Sequence, residues 1–86
     1  MNWSGRSVTV TGGASFIGSR LTGELVARGA QVRVVDDFSS GLMSNIQAFV
    51  DSDSVTCLQG DLKDQHVARE AVDGASVVFH LAADHG

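Results

Sequence analysis

The stretch TGGASFIGSRL, residues 11–21, joins a β-branched run, SVTVT, to an apolar pattern of helical period. Three glycines, Gly12, Gly13 and Gly18, permit a tight turn and a close approach of the following helix to the strand before it. The amides of that helix's first turn then face outward with partial positive charge, which suits a pyrophosphate. A serine, Ser15, stands where such loops usually carry glycine. Its Cβ and hydroxyl must either crowd a bound phosphate or donate a hydrogen bond to it.

Outward from this turn the chain alternates strand and helix. The run into Thr11 predicts a first strand. Ile17, Leu21, Leu25 and Val26 recur at helical spacing over 16–28, and Gly29 is placed to close that helix. Gly23 inside it costs about 1 kcal/mol relative to alanine. QVRVVD, residues 31–36, predicts a second strand ending on an acid. The turn-rich DDFSSGLMSN follows, and Leu42, Met43, Ile46, Phe49 and Val50 predict a short amphipathic helix over the sheet edge. A third strand is expected over 55–59, and a third helix from an Asp64 N-cap to Gly74, with Val67, Ala68, Ala71 and Val72 on its apolar face. A fourth strand covers 76–81, before the ending AADHG.

Buried strands of continuous apolar character, alternating with helices, predict an α/β fold: a Rossmann-like doubly wound parallel sheet, partial, with four strands in the order 3-2-1-4. Strand 4 is then an open edge. Residues 1–86 form one unit, the first half of a dinucleotide-binding sheet. At 86 residues such a sheet is marginal alone, since a domain of this size buries only about 60% of its unfolded surface. A missing C-terminal half or a homo-oligomer is expected.

The formal net charge is −4 and the six Lys and Arg are scattered, which argues against nucleic acid as a partner. No apolar run approaches the length needed to span a bilayer, so no membrane partner is expected. Cys57 stands alone, so an internal disulfide is excluded; it reads as a buried thiol in a reduced, cytoplasmic setting. His66 reads as solvated and His80 as a satisfied core histidine. No histidine pair has metal-ligand spacing with a third ligand, so no metal site is assigned.

The strand ends carry the chemistry. Asp36 lies eighteen residues beyond Gly18, close to where an acid can accept both hydroxyls of an adenosine ribose and repel a 2′-phosphate, favouring NAD over NADP. After the third strand, Asp61 can set a carboxylate against an adenine amino group with the Leu62 amide beside it; it can equally cap its own loop. After the fourth, Ala82 and Ala83 leave room for a cofactor to cross the strand tip.

TGGASFIG, VVDDFSSG, GDLKD and VVFHLAADHG, in this order and spacing, resemble the extended short-chain dehydrogenase/reductase family of NAD-dependent nucleotide-sugar epimerases and dehydratases. The resemblance covers nearly the whole chain from Ser7 to Gly86. It implies that Gly12, Ser15, Phe16, Ile17 and Gly18 contact the pyrophosphate and that Asp36 binds the adenosine ribose. Asp37, Phe38, Ser39, Ser40 and Gly41 would wrap the adenosine end. Asp61 and Leu62 would meet the adenine, and Leu81, Ala82 and Ala83 would floor the pyrophosphate and nicotinamide ribose. Asp84, His85 and Gly86 would approach a nucleotide-sugar substrate. The family's tyrosine-x-x-x-lysine pair has no counterpart, because the chain contains no tyrosine. The resemblance thus implies that residues 1–86 are the N-terminal part of an NAD(P)-binding Rossmann domain without its catalytic and substrate-binding parts; no catalytic residue is assigned, and the chain alone is expected to be inactive.

Two other readings stand beside this one. A naturally short, non-catalytic nucleotide-binding or interaction module would assemble through its open strand edge. A methyltransferase half would also use a glycine loop and acids after strands 2 and 3, but HLAA and DDFSSG fit the dehydrogenases better.

Overall fold

The computed structural model describes residues 2–81. Its sheet has the order β3-β2-β1-β4, built from β1 (Ser7–Thr11), β2 (Gln31–Asp36), β3 (Val55–Gln59) and β4 (Val77–His80). All three pairings are parallel, with Val10 opposite Val34 and Phe79, and Val34 opposite Cys57. The helices are α1 (Phe16–Ala27), α2 (Gln47–Asp51) and α3 (Gln65–Val72), with a single 3₁₀ turn at Met43–Asn45.

Because side chains alternate across a strand, the register sorts them into two unlike faces. Val8, Val10, Val32, Val34 and Val55 share one face and are buried against Leu25, Ala30 and Ile46, with Leu21, Val26, Phe49 and Val50 packed around them. This is the core, under α1 and α2. Ile46 is 0% exposed, and burial of such a side chain is worth up to about 3 kcal/mol. It fixes the otherwise short α2 to the sheet. Gly23 has its reason here, since a Cβ on it would meet the Phe49 ring at 3.1 Å.

The opposite face is more polar than continuous apolar strands would make it. Thr9 and Arg33 lie there, and α3 ends over them. The Thr9 hydroxyl donates to the Ala71 carbonyl, and the Arg33 guanidinium donates to the carbonyls of Glu70 and, at 2.9 Å, Asp73. Carbonyls at a helix C-terminus lack intrahelical partners and carry partial negative charge, so a cation from the sheet satisfies them. SVTVT therefore alternates, and QVRVVD does so only as far as Val34, since Val35 is buried on the Arg33 face.

Helix ends follow the local signals. Ser15 and Asp64 are N-caps whose side chains accept from the amides of Gly18 and His66. Gly29 and Gly74 adopt φ of +87° and +72° just past their helices. The expected helix across 42–50 is instead the 3₁₀ turn followed by α2, and Leu42 and Met43 point outward while Ile46 turns in.

Candidate functional site at the strand tips

β1 ends in a turn that favours glycine at Gly12, where φ is +71°. Its amide donates to the Val35 carbonyl at 2.7 Å, tying the turn to β2. α1 then crosses directly beneath: a Cβ on Gly18 would lie 2.1 Å from the Gly12 carbonyl oxygen. The close approach expected from the glycine spacing is present, and it leaves the start of α1 open. Phe16 and Ile17 are 69% and 72% exposed. Ile17 thus does not share the buried face with Leu25, because Gly18 is the first-turn residue turned toward the sheet.

Ser15 neither obstructs this loop nor keeps its proton for a ligand. Its hydroxyl donates to the Gly12 carbonyl at 2.7 Å and accepts from the Gly18 amide at 3.0 Å. The serine closes the turn on itself and caps α1, taking one first-turn amide and leaving those of Phe16 and Ile17 for an anion.

Asp36 ends β2 and is only 7% exposed. Its Oδ2 accepts from the Ala14 amide at 2.9 Å and its Oδ1 from the Phe38 amide at 2.8 Å. Two main-chain donors compensate for burial, and each oxygen retains a lone pair for a hydroxyl. Gly41 presses on the same carboxylate, since a Cβ there would stand 2.8 Å from Oδ2. Between them Phe38 adopts a left-handed φ of +61°, and the Asp37 carboxylate accepts from the Ser39 amide and hydroxyl. Those two bonds, the amide first, hold the exposed Asp37 below its usual 3.8. Ser40 continues this exposed turn.

Ala14 joins the two loops. Its amide goes to Asp36, and its carbonyl accepts from the Leu42 amide at 3.1 Å and from Asn45 Nδ2 at 2.7 Å. Sequence reasoning missed Asn45, which stands before an apolar residue and carries no periodic signal of a partner 31 positions away.

The outer tips are held differently. Asp61 is exposed, and its carboxylate accepts from the Lys63 amide at 2.9 Å, so it caps its own turn; Leu62 beside it is half-buried. Leu81 donates its amide to both the carbonyl and the hydroxyl of Thr11. His80 is satisfied but is not a core residue: it is exposed, with Nδ1 2.8 Å from the Thr11 hydroxyl oxygen. His66 is exposed. Ala82, Ala83, Asp84, His85 and Gly86 lie outside the described residues.

A groove of about 400 Å³, lined by Arg33, Thr56, Cys57, Leu58, Glu70 and Asp73, lies against α3 and includes none of the expected site residues. Cys57 is half-buried, and burial, with the nearby Asp36 charge, pushes its thiol above the usual 9.0. Among the described residues no group of three or more His, Cys, Asp or Glu could hold a metal ion, and no helix is long and apolar enough to cross a membrane.

A parallel sheet of this order, with a glycine turn on β1 and a buried acid on β2, defines the Rossmann class of dinucleotide-binding folds. Within it the chain belongs to the extended short-chain dehydrogenase/reductases, and the sequence model of the 3-beta hydroxysteroid dehydrogenase/isomerase family matches residues 9–85. A 3 beta-hydroxysteroid dehydrogenase/Delta 5-->4-isomerase of Mycobacterium tuberculosis is 43% identical over 76 residues, 88% of this chain and 19% of that protein. An epimerase from the methanogen Methanothermobacter thermautotrophicus superposes with a TM-score of 0.87 at 37% identity, covering 95% of this chain and 24% of that one. The UDP-glucose 4-epimerase of Thermus thermophilus, solved in complex with NAD, gives 0.76 at 35% identity, over 91% of this chain and 24% of its own. The chain thus spans about a fifth to a quarter of the length of these relatives.

Proposed function

We propose that the chain is the NAD(H)-holding portion of a nucleotide-sugar epimerase or dehydratase, acting in the cytoplasm. The observation that carries this reading is the Asp36 carboxylate, buried yet locked to the glycine loop through the Ala14 amide. An acid held there faces whatever lies across the loop with its remaining lone pairs, and two ribose hydroxyls match them. A 2′-phosphate would bring negative charge against that carboxylate, so NAD is favoured over NADP.

The residues present fit the cofactor. The turn at Gly12 and Gly18 and the amides of Phe16 and Ile17 take the pyrophosphate, with Ser15 holding the turn in shape. The segment from Asp37 to Gly41 would enclose the adenosine, Asp61 and Leu62 would meet the adenine, and Leu81 would begin the floor toward the nicotinamide; the expected roles of Ala82 and Ala83 fall outside the described residues. Bound NAD supplies a hydride acceptor for a sugar carbinol and can return the hydride after epimerisation or elimination. The chain's own residues bind and orient; none of them is assigned a proton transfer.

The match to the hydroxysteroid dehydrogenase family and the Mycobacterium tuberculosis relative favour a second reading, in which the same cofactor seat serves a hydroxysteroid. The two differ in what reaches the nicotinamide, not in how the adenosine end is held. Calorimetric titration of the chain should show weak NAD binding, with NADP weaker by at least about tenfold, the worth of one charge-assisted contact. Equal or tighter NADP binding, or no response to NAD, would overturn the cofactor assignment. Turnover of a hydroxysteroid and not of a UDP-sugar by a full-length enzyme carrying this chain would decide for the second reading.

A further inference from the structure

We propose that Asn45 is a positioning residue for the cofactor: acting through Ala14, it sets the distance between the pyrophosphate loop and the adenosine loop. The inference rests on reading those two loops as one NAD seat. Ala14 is fully buried at the middle of the glycine turn. Its peptide groups are gripped from two sides, by Asp36 Oδ2 on the amide and by Leu42 N–H and Asn45 Nδ2 on the carbonyl. Asp36 directly precedes the segment 37–41 that would enclose the adenosine, and Leu42 and Asn45 follow it. The Asn45 contact, at 2.7 Å, therefore reinforces the Leu42 amide in closing the chain after that segment onto the turn.

The segment needs such a closure. It contains a non-glycine residue, Phe38, at positive φ, a conformation that persists only when its surroundings over-determine it. Its Phe38 side chain is only half-buried against the core, and no large apolar side chain between Asp36 and Ile46 is fully buried. Without Asn45 the Ala14 carbonyl still accepts from Leu42, so no buried acceptor is orphaned and the fold survives. What is lost is register between two loops. A ligand that touches both must then restore it at its own expense, whereas a ligand that touches one need not.

The test is amide-resolved NMR titration of the chain and its Asn45→Ala variant, with NAD and separately with adenosine, which lacks the pyrophosphate. The expected result is a loss of about fivefold in NAD affinity, the worth of one ordinary hydrogen bond, with adenosine affinity unchanged within about twofold. Asn45→Leu keeps the size, removes the donor without adding charge and should behave alike; it replaces Asn45→Ala if circular dichroism shows that variant unfolded. Equal losses for both ligands, or an unchanged NAD affinity, would overturn the proposal and leave the cofactor reading standing. A native chain that binds neither ligand would sink the cofactor reading, and this inference with it.

Discussion

The tips of β1 and β2 and the tip of β3 all end in residues suited to a dinucleotide, yet they are built in opposite ways. The inner pair is one hydrogen-bonded body: Gly12 is tied to Val35, Ala14 to Asp36, Leu42 and Asn45, and Ser15 to Gly12 and Gly18. At β3 the Asp61 carboxylate accepts from the Lys63 amide of its own turn, and the tip is tied to β2 by one main-chain bond, from the Gly60 amide to the Asp36 carbonyl. A parallel sheet explains the contrast, since central strands have neighbours on both sides to brace their loops and an edge strand has one. The inner tips are held in place by one another, while the outer tip has an exposed acid that can be changed at little structural cost.

Substitution at Gly18 should break the inner body most severely. A Cβ there meets backbone at 2.1 Å, which no side-chain movement relieves. Gly18→Ala should cost about 3 kcal/mol or more in urea unfolding and abolish NAD binding; a native-like midpoint would contradict the packing described. Asp36→Asn comes next, because an amide cannot accept through both of its heavy atoms and one of the two buried N–H groups loses its partner. A loss of about 2 kcal/mol is expected, with NAD affinity falling too. If instead the variant binds NAD as the native chain does, Asp36 is a structural brace and nothing more.

Arg33→Met sharpens the comparison from outside the site. It removes the cation over the end of α3, and partial exposure reduces the loss to about 1 kcal/mol, with NAD affinity unaltered. The smallest effects belong to Ser15. As a helix cap it should cost about 1 kcal/mol when changed to alanine and only a few tenths when changed to glycine. A Ser15→Gly chain that binds NAD no worse would agree with a hydroxyl already spent within the loop; a marked loss would mean that it reaches the phosphate after all.

Much of the inner body is legible in the sequence because its signals are local. The β-branched run, the glycine spacing, the terminal acid of β2 and the Gly29 stop each depend on residues within a turn or two, and the strand order follows from alternation of strand and helix. What escapes sequence reading is the long-range bonding. Arg33 meets α3 37 to 40 positions away, Asn45 meets Ala14 31 away, and His80 meets Thr11 69 away. Such pairs leave no periodic trace. Helical spacing also misplaces Ile17, because a glycine takes the inward position of the first turn and the apolar side chain beside it is left on the surface.

The central claim is that the β1 and β2 tips form the seat for the adenosine and pyrophosphate of NAD. Amide-resolved NMR of the chain titrated with NAD tests it most directly. Saturable shifts concentrated in residues 12–19 and 36–45, with smaller ones at Asp61 and Leu62, are expected. Shifts gathered instead around Arg33, Cys57 and Glu70, or an absence of shifts at the glycine turn at saturating NAD, would contradict it.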